Sequence, residues 1–493
     1  MKGLIENRFG LLALVMVAVA ALYGVAFATR PAPVTVRPPQ AVKAPVESVS
    51  AVCPAPGGTR LSVVTPPGGQ GPGSAVVAGL AGAEGGDGKG GNGKGDGKDA
   101  RPVSTVDQPG LLWQKEIPAG GIPLAVDATG SMAAGLESAQ TARETSGPQR
   151  GLAGVRCVEP GADAWFVGPG PASADVTLYL ANADGAAADV SISMYSGEGP
   201  VLSERGSGMI LQPGEHRAIQ LRDLAPSPLV MGLEVSTATG RVAAAIRTVF
   251  GKGRGVDWLP VATAPATSVV VPGIPGTAGQ RELYVTAPGE QDTVVNVKAV
   301  LKDGSYALKN KETLDVPAGS TAVLDLSTGI GGQPAALVLT SDVPVTAGLK
   351  ITGTGSSQDV AFTAGAPSID LGSVVADGRA ARKQTSRLVL SAPFAQAAVK
   401  VQLLPKEGTA PPPVEVRLPA GRTREMKLTP PPGGGTGFSV VVQPEPGSGP
   451  VYGGRVLDET TTDGQMVTAQ PLALARTWAL VPPTADSPSA VLP

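Results

Sequence analysis

The feature that most constrains this chain is an internal repeat of about 105 residues carrying a two-residue hydrophobic alternation. Three segments align without gaps: LQPGEHRAIQL (211–221), VPAGSTAVLDL (316–326) and LPAGRTREMKL (418–428). Each has an apolar residue, a glycine three positions on (Gly214, Gly319, Gly421), and apolar residues at its ninth and eleventh positions. The Pro/Gly stretch fits a turn, and the alternation after it fits a half-buried strand. A looser fourth copy reads IPAGGIPLAV (117–126).

A second signature lies upstream, where LYLANADGAAADVSI (178–192) matches LYVTAPGEQDTVVNV (283–297), and LVLSAPFAQAAVKV (388–401) fits with one deletion. A third lies downstream: MAAGLESA (132–139), VAAAIRTV (242–249), VTAGLKIT (345–352) and VYGGRVLD (451–458). Polar, turn-rich residues and another apolar run follow it, which is a hairpin pattern. WFVGPG (165–170), SVVVPG (268–273) and WALVPP (478–483) read as strands closing each copy, with Trp165 and Trp478 packed in cores.

The period is too long for a solenoid and matches a two-sheet sandwich domain. With Gly at 67 and Pro at 48 of 493 residues, long helices are disfavoured. The expectation is an all-β chain of tandem immunoglobulin-like β-sandwich modules after one N-terminal transmembrane or signal helix. Its parts are segment 1–30, a Pro-rich stalk over 31–47, and a degenerate first module over 48–170 with a disordered Gly-rich insertion at 66–102. Three further sandwiches span 171–275, 276–378 and 379–493.

Phe9 to Thr29 holds 21 residues without a charge, enough to cross a bilayer core. It reads either as a retained single-pass anchor or as a signal peptide cut after Ala26-Phe27-Ala28. Both readings place the remainder outside the cytoplasm, in the membrane-bound or the secreted form. In that setting the two cysteines, Cys53 and Cys157, read most simply as one disulfide stapling the first module.

The Gly-rich tract 82–99 contains G-x-G-x-x-G at Gly88, Gly90 and Gly93. A dinucleotide site needs a strand before these glycines and a helix after them, and a phosphate loop needs Gly-Lys-Ser/Thr. Neither context is present, so the tract reads as a flexible insertion. The near-balance of 39 basic and 41 acidic residues leaves no footprint for nucleic acid.

His216, the single histidine, aligns with Thr321 and Thr423 on a strand phase compatible with a solvent face. A Ser-His-Asp or Cys-His centre would have to use it. No catalytic residue, cofactor site or metal site is therefore assigned. The turns GKGRG (251–255) and ARKQTSR (381–387) are locally basic; they read as solvated turns, with contact to an anionic wall polymer as the alternative.

The N-terminal apolar segment, the cysteine contexts CPAP and RCVEPGADAWFVGPG, and the block TLYLANADGAAADVSI together resemble a domain-of-unknown-function family of membrane-anchored, extracytoplasmic actinobacterial proteins of streptomycete type. That resemblance implies location and architecture, and brings no catalytic residue or ligand. The functional expectation is a non-enzymatic cell-envelope scaffold. It would be held by the membrane through its helix and bind an envelope protein or wall polymer, with no nucleotide or nucleic-acid partner. The alternatives are a glycan-binding array and a glycosidase using only a carboxylate pair.

Overall fold

The computed structural model describes residues 8–28, 42–55, 58–69, 71–80, 102–277 and 279–481. Arg8–Ala28 is a helix whose stretch Gly10–Ala28 has a mean hydropathy of 2.5, long and apolar enough to cross a membrane. Of the expected stalk, residues 31–41 lie outside the described residues. Its end, Val42–Pro45, is a strand paired with Trp478–Val481. WALVPP therefore closes no sandwich, and Trp478 is 45% exposed rather than packed in a core.

Residues Pro45–Trp478 form one compact unit made almost wholly of antiparallel strands. The alternation explains them directly. Thr293–Val300 runs buried-exposed along TVVNVKAV, with Val295, Val297 and Ala299 inward. Among the described residues the one α-helix in this unit is the single turn Ser327–Ile330, beside the short 3-10 turns Glu204–Gly206 and Leu221–Asp223.

The strands fall into four contiguous sets with the same topology. In the first set, Ser48–Cys53, Leu124–Gly130, Gly73–Gly79 and Pro102–Val106 form one sheet in that order. Trp113–Ile117, Thr59–Val64, Glu137–Glu144 and Gly151–Arg156 form the other. Numbered within the set, the sheets run 1-6-3-4 and 5-2-7-8, and the set spanning Ser373–Pro471 repeats that order. In the third set the sixth and seventh strands are one 18-residue strand, Ala335–Thr352, which passes from one sheet into the other.

This is a sandwich, but the order is not that of an immunoglobulin domain. There the first strand pairs the second; here the first pairs the sixth, and the chain changes sheet between strands one and two.

The pairing also moves the expected boundaries. WFVGPG lies in Asp163–Pro169, which pairs with Val230–Thr239 and so opens the second sandwich instead of closing the first. SVVVPG likewise opens the third. A strand at the junction alternates in the same way whichever side it serves, so periodicity alone does not assign it. The insertion is shorter than expected, because Gly73–Gly79 is a central strand with Ala75 and Val77 fully buried. Residues 81–101 lie outside the described residues. The loose copy at 117–126 is not equivalent to the others. It joins the fifth and sixth strands, whereas the other three turns join the fourth and fifth.

The four sandwiches close on themselves. The 1-6-3-4 sheet of one lies over the second and seventh strands of the next, and the fourth sandwich packs back on the first. Glycine permits this approach. A Cβ on Gly454 would stand 2.5 Å from the Cα of Gly273 in the preceding sandwich. The eighth strands of all four sets meet at the centre: Gly151–Arg156, Val256–Leu259, Val360–Ala364 and Gly464–Pro471.

Candidate functional site

At one end of these central strands lie the hairpin turns that lead into them, and these turns interlock. Arg150 donates to the Ser357 carbonyl at 3.0 Å and to the Thr461 hydroxyl at 2.9 Å. Gly253 N–H donates to Pro148 O, and Ser357 N–H to Asp463 O. The basic turn GKGRG is part of this end, with Lys252 and Arg254 exposed.

Just inside, the fully buried carboxylate of Asp359 in the third sandwich accepts backbone N–H groups from the other three. These come from Leu152 at 2.9 Å, Val467 at 2.9 Å and Val256 at 3.2 Å. Asp257 of the second sandwich accepts from Gly154 N–H at 2.9 Å and the Thr468 hydroxyl at 3.0 Å. Burial pushes the Asp359 carboxyl up to about 7, with the surrounding amides pulling the other way. Burial also raises Asp257 well above the carboxylate range, with the charge of Asp359 adding to it. These aspartates fasten sandwiches together, and among the described residues no group of three metal-ligating side chains occurs.

At the other end, the segments leaving the four central strands surround a cavity of about 520 Å³. Its walls are mostly apolar, including Phe166, Trp258 and Val261. Two ion pairs line it: Glu137 with Arg156 at 2.5 Å, and Glu159 with Arg476 at 2.5 Å. Arg156 also donates to Pro471 O at 3.2 Å. Burial raises the Glu137 carboxyl, and Arg156 pulls it back. Burial also raises Glu159, against the pull of Arg476 and Arg241, and raises Asp163. The Ser138 hydroxyl is buried at the wall without a protein partner.

The expected disulfide is present: Cys53 and Cys157 are bonded, 104 residues apart, and Cys157 lines the cavity. It ties the first strand to the exit from the eighth, beside the backbone pair Val52–Val158. A disulfide of this kind belongs to an oxidising, extracytoplasmic compartment.

His216 is exposed, as expected for its strand phase. Its counterparts are not, which corrects the solvent-face reading for them. Thr321 and Thr423 are each 2% exposed because they lie against the preceding sandwich. Thr321 donates to Tyr195 O and Thr423 to Val300 O, both at 2.7 Å. Trp165 is buried and stacks on Tyr195, with ring centroids 5.9 Å apart. The motif at Gly88, Gly90 and Gly93 lies outside the described residues. Sequence reasoning missed Asp257, Asp359 and the cavity. The one available signal was an aspartate beside the start of the eighth strand in three of the repeats, at Asp257, Asp359 and Asp463.

Compared with known proteins, residues 114–429 match a family described as a family of unknown function. No curated protein matches the chain. A solved structure of Streptomyces avermitilis alpha-L-rhamnosidase complexed with L-rhamnose aligns at 13% identity with a TM-score of 0.11. That alignment covers 87% of this chain and 55% of the rhamnosidase chain, so this chain spans about half its length.

Proposed function

The chain thus belongs to the family of unknown function DUF5719, and we propose that it is a non-catalytic, membrane-tethered extracytoplasmic scaffold whose axial cavity receives an apolar segment of an envelope partner. The observation that carries this reading is the cavity itself. Its volume of about 520 Å³ is that of a ligand site, and its walls are apolar. Its two glutamates are already neutralised by Arg156 and Arg476. A glycosidase uses a pair of carboxylates, one of them free to attack or to activate water; with Glu137 and Glu159 holding guanidinium groups, Asp163 is the one carboxylate of the cavity lining without an ion pair among the described residues. The apolar helix would tether the unit by its N-terminus, and the disulfide supports an extracytoplasmic location.

A photo-cross-linking residue at Val261, on the cavity wall and 40% exposed, is expected to capture an envelope component when the full chain is mixed with cell-envelope fraction. The same probe at Val414, 62% exposed and outside the cavity, is expected to capture none. Equal capture at both positions, or capture at neither, counts against the cavity as the binding site. Sugar release from wall material that is abolished by Glu137→Gln with Glu159→Gln would overturn the non-catalytic reading.

A second reading, glycan binding, draws on a hollow of about 450 Å³ at the opposite end, lined by Thr354, Ser356, Thr460–Thr462 and Asp463. Hydroxyl groups of this density suit a sugar surface. They predict that free oligosaccharide competes with capture of wall material at that end.

A further inference from the structure

The seam where the fourth sandwich closes on the first gathers Arg60, Arg379 and Lys406, of which Arg60 is ion-paired and the other two have no ion pair among the described residues. Arg379 ends the first strand of the fourth sandwich, directly across from Gly437. Lys406 follows the third strand of that sandwich. A Cβ on Gly437 would stand 3.0 Å from the Cε of Lys406 and 2.5 Å from Oε1 of Gln114 in the first sandwich. The glycine therefore lets the Lys406 and Gln114 side chains close directly over the strand that carries Arg379's partner position. Arg60 lies on the strand of the first sandwich that packs against this edge, and it pairs with Glu116 at 2.5 Å.

The other acids nearby have partners of their own, with Oδ1 of Asp377 left without one. Asp377 is bound by Arg455 and by the Thr141 hydroxyl, and Glu459 by Arg143 and Gln384. Among the described residues neither Arg379 nor Lys406 has an acidic partner within ion-pair distance, and Nε of Arg379 is buried with no acceptor.

We propose that Arg379, Lys406 and Arg60 form a binding site for a phosphate-type oxyanion at this seam. A planar guanidinium beside a mobile ammonium is a pairing suited to a tetrahedral oxyanion, with Arg379 offering a fork and Lys406 a point charge. Burial, and then the charge of Arg60, lower Arg379 against the pull of Asp377, Glu116 and Glu459; burial, Arg60 and Arg379 lower Lys406 against the pull of Glu116. A bound oxyanion would relieve that repulsion. The neighbouring turn residues Arg382 and Lys383 are exposed and extend the positive surface outward, so the site accommodates a free ion or one phosphate of a longer polymer.

The test is titration of the full chain in detergent with inorganic phosphate, replacing chloride at constant ionic strength, read by calorimetry. Saturable binding is expected, and Arg379→Gln with Lys406→Gln should weaken it by about tenfold or more. In phosphate-free buffer the double variant should unfold at the same temperature as the wild type or higher, because the repulsion is gone; a purely structural role would lower it. Lys252→Gln, at the distant basic turn, should leave the affinity unchanged.

Competition by a soluble glycerol-phosphate oligomer identifies a polymer as the source, and its failure identifies the free ion. No saturable phosphate binding by the wild type, or unchanged binding by the double variant, overturns the proposal. Neither result bears on the axial cavity, which shares none of these residues.

Discussion

Asp359→Ala is expected to destabilise the whole Pro45–Trp478 unit, on the order of 3–6 kcal/mol at pH 5, although it alters one side chain. The carboxylate is the shared acceptor for Leu152, Val467 and Val256 N–H, one from each of the other sandwiches. Alanine leaves those three donors buried and unpaired, at about 1–3 kcal/mol each before relaxation. The loss should depend on pH with a definite sign. Asp359 titrates near 7 in the folded chain, above its ordinary value. Below that ordinary value both folded and unfolded forms are protonated, and its contribution is complete. As pH rises from about 4 through 7 the unfolded chain ionises first, so the contribution falls by a few kcal/mol. The difference between wild type and Asp359→Ala is therefore larger at pH 5 than at pH 8. Asp359→Asn, which keeps an acceptor oxygen without the charge, should lose less and show little of this slope. Denaturant unfolding of the full chain at the two pH values reads all three; a difference that grows with pH would contradict this account.

Removing the disulfide with Cys53→Ala and Cys157→Ala is the second large effect, at roughly 2–5 kcal/mol. The bridge closes a loop with a separation of 104 residues and holds an edge strand. Ser48–Cys53 is hydrogen-bonded on one side, to Leu124–Gly130, and beyond that only through the Val52–Val158 bridge. Both sulfurs sit in the core cluster with Val126 and Leu61, so truncation also removes packed volume. The expected result is a lower unfolding midpoint, with earlier proteolytic cleavage within the first sandwich than elsewhere. An unchanged midpoint would mean that the first strand is held by its packing alone.

How much of this was readable in the sequence follows from what each residue contacts. Leu178, Leu180, Val295 and Val297 alternate because their own sheets have one inner face, and that is a local property. The sandwich architecture and the cysteine pair were legible for that reason. Thr321 and Thr423 were misread because their burial comes from a different sandwich about 120 residues earlier, at Tyr195 and Val300. WFVGPG and SVVVPG were placed one sandwich too early, since a junction strand carries no mark of the sheet it joins. Asp359 carried no signal of its weight. An aspartate before an apolar strand usually means a turn, and its three partners lie between 103 and 207 residues away. The axial cavity is invisible for the same reason, being walled by four linkers that come together only when the fourth sandwich meets the first.

The central claim is that the four sandwiches form one closed unit fastened at its axis, rather than four beads on a string. Differential scanning calorimetry of the full chain in detergent tests it most directly. The account predicts a single transition whose calorimetric and van't Hoff enthalpies agree, shifted as a whole by Asp359→Ala. Several separable transitions, with Asp359→Ala moving only the one that belongs to the third sandwich, would contradict it.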